Sequence, residues 1–188
     1  MDKDLATTPA DLPEPQDDGA ADHLSGLALP DIALPASLGG SVELARLEGR
    51  TVLYGYPRTG VPGQPSLVDD WELIPGARGC TPQSCGFRDH HGELARRGAR
   101  VVGLSTQDPA FQREAAERLH LPFALLSDSG LQLTRALRLP THRIAGITLL
   151  KRIGLVVRDG TIEQVFYPVF PPGAHAEAVV AWLDANPG

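Results

Sequence analysis

The sequence predicts an α/β fold, a central mixed sheet flanked by helices, and three observations predict it. After residue 50, short β-branched or apolar runs alternate with helical patterns. Glycine or proline closes most of these runs, as punctuation between compact elements requires. Late in the chain, Asp159-Gly160 separates two further apolar runs, the signature of a β-hairpin.

Residues 1–24 combine seven of the acids with Pro9, Pro13 and Pro15 and few large apolar residues, so a disordered acidic tail is expected ahead of one domain over 25–188. The next pieces, 27–49, alternate short apolar runs with Gly39-Gly40 and predict a small N-terminal hairpin. Residues 51–56 are β-branched and aromatic and end at Pro57, a buried strand stopped by a residue that cannot extend it. A loop of 23 residues follows, 57–79, with four prolines and four glycines; loops of that length in compact domains are usually functional or mobile. A helix is expected over 81–97, with Phe87, Leu94 and Ala95 on its apolar side and Gly98 ending it. A strand over 99–105, a helix over 109–119 with Phe111, Ala115, Ala116 and Leu119 inward, and a strand over 121–126 come next. Ser127-Asp128-Ser129 opens a short helix over 130–137. Residues 147–157 and 161–167 form the Asp-Gly hairpin, and 174–183 form a closing helix.

Composition narrows the function. With 188 residues, 42% hydrophobic and 21% charged, the chain can fill one medium-sized core. The net charge of −6 resides in residues 1–22, leaving 16 acids and 16 bases elsewhere, which argues against a nucleic-acid or anionic-membrane partner. No apolar run approaches a membrane span, and the N-terminus lacks a basic-then-apolar leader pattern, so the expected setting is cytoplasmic. Two cysteines make no disulfide scaffold, and in a reducing compartment such a pair is more often redox-active or metal-binding than structural.

Those cysteines lie in Gly79-Cys80-Thr81-Pro82-Gln83-Ser84-Cys85-Gly86-Phe87-Arg88-Asp89, where the long loop meets the first helix. Unpaired N–H groups and the positive end of the helix dipole favour an anion there, so Cys80 is the candidate nucleophile as its thiolate. Pro82 fits the first turn, where no intrahelical partner is needed. Cys85 stands about 140° around the helix and about 7.5 Å along it, so the two sulfurs point apart and can join only if the first turns unwind. Pro82, Ser84 and Gly86 give those turns modest helix propensity.

The segment resembles the bacterioferritin-comigratory-protein, or Q-type, branch of the peroxiredoxins, whose active helix opens Gly-Cys-Thr, carries a second Cys five residues later and continues Phe-Arg-Asp. The resemblance covers about 27–183 and includes the strand ending Tyr56-Pro57 and the late hairpin with its preceding arginine. It implies a thioredoxin-like fold and thiol peroxidase activity on hydrogen peroxide and small organic hydroperoxides. Cys80 would become a sulfenic acid, condense with Cys85 to a disulfide, and be reset by thioredoxin or a similar dithiol. The resemblance implies no metal or organic cofactor, and the expected assembly is a monomer or weak homodimer.

The family also implies a Pro and a Thr or Ser before the reactive Cys and an Arg from a later strand, which align and polarise the peroxide and stabilise the thiolate. Here the usual spacing would require Thr at 77 and Pro at 73, where Ala77 and Leu73 stand. Pro57 and Thr59 are read as keeping those roles, with an insertion after Gly60 that returns to the same place; the alternative is that Thr81 or backbone N–H groups supply the donor. Arg152 is assigned the arginine role with Gly154 in place of the usual Thr, and Lys151 competes, because one step of register flips the side chain. Adjacent His90-His91 lack ligand spacing, and Trp71 reads as a lid or, more simply, a loop anchor. Two other functions stay open: a thiol-disulfide oxidoreductase on the same fold, which normally wants Cys-x-x-Cys, and a non-catalytic redox sensor that unwinds on oxidation.

Overall fold

A computed structural model describes residue 5 and residues 11–188; the first ten residues of the expected tail otherwise lie outside the described residues. Five strands form the central sheet in the order β5-β4-β3-β8-β9. They are β3 (Arg50–Gly55), β4 (Ala99–Ser105), β5 (Leu125–Ser127), β8 (Ile153–Arg158) and β9 (Thr161–Phe166). β3 pairs parallel with β4 and antiparallel with β8, so the sheet is mixed. All six residues of β3 are buried, as befits the middle of a sheet covered on both faces.

The two-residue period of that strand divides the core. Val52 and Tyr54, with Tyr56 beyond them, pack with Phe87, Leu94, Val179 and Leu183 on one face. Leu53 packs with Val102, Leu104, Leu133, Leu137 and Leu155 on the other. The first face carries α1 (Cys80–Asp89), α2 (His91–Arg96), α3 (Pro109–Arg118) and α5 (His175–Ala185); the second carries α4 (Gln132–Leu137). The N-terminal hairpin appears as β1 (Ala33–Pro35) with β2 (Ser41–Glu43), and the Asp159-Gly160 turn joins β8 to β9.

Four elements differ from expectation. The helix expected over 81–97 is two, because the chain turns at His90 (φ −94°, ψ 5°), whose ring nitrogen bonds the Gly86 carbonyl at 2.9 Å. The strand expected over 121–126 keeps only its end, since Pro122 has no N–H for the ladder. In α3 it is Gln112, not Phe111, that is buried, its Oε1 accepting from the Tyr56 hydroxyl at 2.6 Å. Residues 147–157 are not one strand: β7 (Ile147–Leu150) leaves the sheet to pair with β6 (Thr141–Ile144) through Ala145-Gly146, both at positive φ.

Residues 17–24, expected within the tail, lie against the body. Ala21 and Leu24 are buried in the second core, and Asp18 accepts from Lys151 Nζ at 2.5 Å and the Tyr167 hydroxyl at 2.7 Å. Those two donors hold the Asp18 carboxyl down at about 2. Leu24 and Ala21 supply the apolar anchor that the composition of the segment as a whole conceals.

Candidate active site

Cys80 is the first residue of α1, capped by Gly79 at φ 104°. Glycine is required there twice over: the dihedral is left-handed, and a Cβ would fall 2.3 Å from Pro172 Cγ. The first turn and a half of α1, 80–84, is buried, so Cys80 is only 3% exposed.

Arg152 lies in the break between β7 and β8, and the break decides the register. Lys151 points outward to Asp18, whereas Arg152 is 3% exposed and turns inward. Its Nη2 stands 3.4 Å from Cys80 Sγ and donates to the carbonyls of Arg78 at 2.9 Å and Gly76 at 3.2 Å. Its Nη1 donates to Gln83 Oε1. The guanidinium therefore ties the end of the long loop, the first turn of α1 and the sulfur together. As a thiol, Cys80 donates to the Ala77 carbonyl at 3.6 Å; as a thiolate it keeps Arg152 as its charged donor.

Gln83 continues inward, its Nε2 lying 2.8 Å from His175 Nδ1 at the start of α5. Both residues are buried, Gln83 at 0% and His175 at 2% exposed. Neither is among the residues singled out from the sequence. No local pattern marks them, because a glutamine in a helix's first turn gains meaning only when an arginine some 70 residues later and a histidine some 90 residues later meet it.

The expected sites divide. Cys80 and Arg152 come together. Cys85, half-buried on α1, is a free thiol that packs against the first core, and burial raises its pKa above the usual thiol value. Pro57 and Thr59 do not line the cleft that reaches Cys80. Thr59 instead presents its N–H and hydroxyl to Gln107 Oε1 at 2.8 and 3.1 Å and accepts from Gln107 Nε2 at 3.2 Å. With both polar groups committed to that exchange, Thr59 anchors the start of the loop to the end of β4. The hydroxyl residues that do line the cleft are Thr81 and Ser66.

The loop returns near its start, as an insertion after Gly60 would require, since Gly60 and Gly79 border the same cleft. It has a core of its own, in which buried Trp71 and Ala77 pack on Ile144 and Leu149 of the β6–β7 hairpin. Trp71 both anchors the loop and forms part of the cleft wall. Among the described residues, no three His, Cys, Asp or Glu side chains converge as a metal site, and no helix is long and apolar enough to cross a membrane.

Residues 24–181 match the redoxin family. Peroxiredoxin Q of Gentiana triflora chloroplasts is 28% identical over 97% of this chain and 79% of its own length. Peroxiredoxin Bcp of Escherichia coli K12 is 33% identical over 86% of this chain and 96% of its own. Among solved structures, peroxidoxin BcpB of Mycobacterium tuberculosis superposes with a TM-score of 0.69 at 27% identity, covering 87% of this chain and 98% of that one.

Proposed function

The chain belongs to the redoxin family, in the peroxiredoxin Q and Bcp branch, and on that footing we propose that it reduces hydrogen peroxide and small organic hydroperoxides at Cys80. The observation that carries the reading is the Arg152 guanidinium 3.4 Å from Cys80 Sγ at the buried start of a helix. The cation and the helix N-terminus both place positive charge beside the sulfur and beside the charge that moves onto the leaving oxygen.

The thiolate attacks one oxygen of ROOH; the S–O bond forms, the O–O bond breaks, and RO⁻ takes up a proton to leave as alcohol or water. Cys80 is then a sulfenic acid. The Cys85 thiolate attacks that sulfur, forming S–S and expelling hydroxide, which is protonated to water. A dithiol reductant returns both residues to thiols and becomes a disulfide itself. In this scheme Thr81 or Ser66, rather than Thr59, supplies the hydroxyl donor to the peroxide, and Pro57 terminates β3 rather than shielding the thiolate.

The second step requires α1 to open, because five helical residues separate the sulfurs by about 7.5 Å along the axis on different faces. The opening breaks the Gln83 bonds to Arg152 and His175 and the Tyr54 hydroxyl bond to Ser84 Oγ at 3.0 Å. A thioredoxin-type reductant, a cytoplasmic setting and a monomeric or weakly dimeric state complete the reading, supported by the two free cysteines and the family. The test is peroxide consumption coupled to NADPH oxidation through thioredoxin and its reductase. Turnover that requires Cys80 is expected; disulfide reduction without peroxide turnover would instead support an oxidoreductase.

A further inference from the structure

The chemistry just described uses Cys80, Cys85 and Arg152 and leaves a buried histidine unexplained. His175 meets the rings of Phe87 and Phe166 in edge-on contacts, with centroids 5.0 and 5.7 Å away. Its hydrogen bonding is logically fixed. Arg152 can only donate, so the Gln83 carbonyl must face Arg152 and the Gln83 NH₂ must face His175. His175 Nδ1 is therefore a bare acceptor, and the ring proton resides on Nε2, which has no hydrogen-bond partner among the described residues. Burial, and secondarily the Arg152 charge, push the ring's pKa down to about 3, consistent with a neutral tautomer.

A second, independent fit lies at the Nε2–Cε1 edge of the ring. Gly154 stands two residues after Arg152 in β8, and a Cβ there would lie 2.2 Å from His175 Nε2 and 2.5 Å from Cε1. The ring occupies the space that any side chain at position 154 would claim. The strand that follows Arg152 is thus shaped to admit this histidine.

We propose that His175 is a positioning residue for peroxide reduction: its Nδ1 lone pair fixes the orientation of the Gln83 amide, whose carbonyl holds Arg152 against Cys80 Sγ. The proposal rests on the peroxidase reading for its consequence, and on the Arg152–Gln83–His175 chain for its cause. Without an acceptor at Nδ1, the buried Gln83 NH₂ is left unpaired, and the amide shifts to recover a partner, drawing its carbonyl away from the guanidinium.

The experiment compares His175→Phe, which fills the slot without an acceptor, with His175→Asn, whose side-chain oxygen restores one. Each is measured by the rate of hydrogen peroxide reaction and by the pH profile of Cys80 alkylation with iodoacetamide in a Cys85→Ser background. Loss of one charge-linked hydrogen bond corresponds to a roughly 10- to 100-fold slower peroxide reaction in His175→Phe, with the alkylation profile moved to higher pH. His175→Asn should recover most of both. Wild-type rates and an unshifted profile in His175→Phe overturn the proposal. Alkylation needs no peroxide, so a wild-type chain that fails to react with peroxide refutes the peroxidase reading and leaves this test standing. Should His175→Phe fail to fold, nitrogen-15 NMR of the wild-type chain decides: neutral His175 with its proton on Nε2 supports the proposal, and an Nδ1–H tautomer refutes it.

Discussion

His175 makes the chain sensitive to mild acid in a calculable way. Its ordinary pKa is 6.5, and the fold lowers it to about 3. The folded state therefore binds fewer protons than the unfolded state between those values, so the contribution is fully present above pH 6.5 and drains away as pH falls toward 3. Linkage over that window gives about 2 kcal/mol lost between pH 7.5 and pH 5, approaching about 5 kcal/mol by pH 3 at 1.36 kcal/mol per unit. The upper part of the window isolates the effect, because the carboxylates with depressed pKa values, Asp18, Glu163 and Asp184, titrate below it. Burial also lowers His142, but it does so in wild type and variant alike. Urea unfolding of wild type and His175→Asn at pH 7.5, 6.5, 5.5 and 5.0 reads the difference directly. Wild type should lose about 2 kcal/mol more than the variant over that range; parallel stability curves would show that the fold does not hold the His175 ring neutral.

Four other outcomes follow from the packing. Gly154→Ala drives a methyl into the His175 ring at 2.2 Å, so it should cost about 1–3 kcal/mol and lower Tm by roughly 3–10 °C in a scanning calorimeter, and an unchanged Tm would contradict the close contact. Arg152→Met should slow hydrogen peroxide reaction by roughly 100-fold or more, whereas Lys151→Met, whose charge faces Asp18, should leave the stopped-flow rate near wild type. Thr59→Val should cost about 1 kcal/mol in chemical denaturation with little change in peroxide rate, and a large rate loss would restore Thr59 to the site. Thr81→Val, at the cleft, should slow the same reaction by roughly 10-fold if it donates to the peroxide; equal rates would shift that role to Ser66 or the backbone.

The sequence made the reactive half of the site visible because its cues are local. A strand stopped by Pro57, a glycine before Cys80, Pro82 in the first turn and a thiol five residues on all belong to one short stretch. Arg152 was legible only up to a choice with Lys151, because strand register depends on where β7 ends, and β7 ends where it pairs with β6 outside the main sheet. β6 itself was hidden: Thr141-His-Arg-Ile has one large apolar residue, and its turn is Ala145-Gly146 rather than Asn-Gly. The engagement of the Thr59 hydroxyl by Gln107 was not legible, because it is a contact between distant loops with no sequence period to announce it. Gln83 and His175 lay further still from view, and Gly154 showed only as a departure from the family's threonine. Each is ordinary in its own element, and their meaning comes from three elements meeting behind one sulfur.

The most direct test of the account mixes reduced protein with one equivalent of hydrogen peroxide, follows the reaction by stopped flow and maps the product by peptide mass spectrometry, with Cys80→Ser and Cys85→Ser alongside. A Cys80 peroxidase requires rapid wild-type oxidation to a Cys80–Cys85 disulfide, a sulfenic acid trapped at Cys80 in Cys85→Ser, and no rapid phase in Cys80→Ser. Wild-type oxidation no faster than that of a free thiol, or a first oxidation event at Cys85, would contradict it.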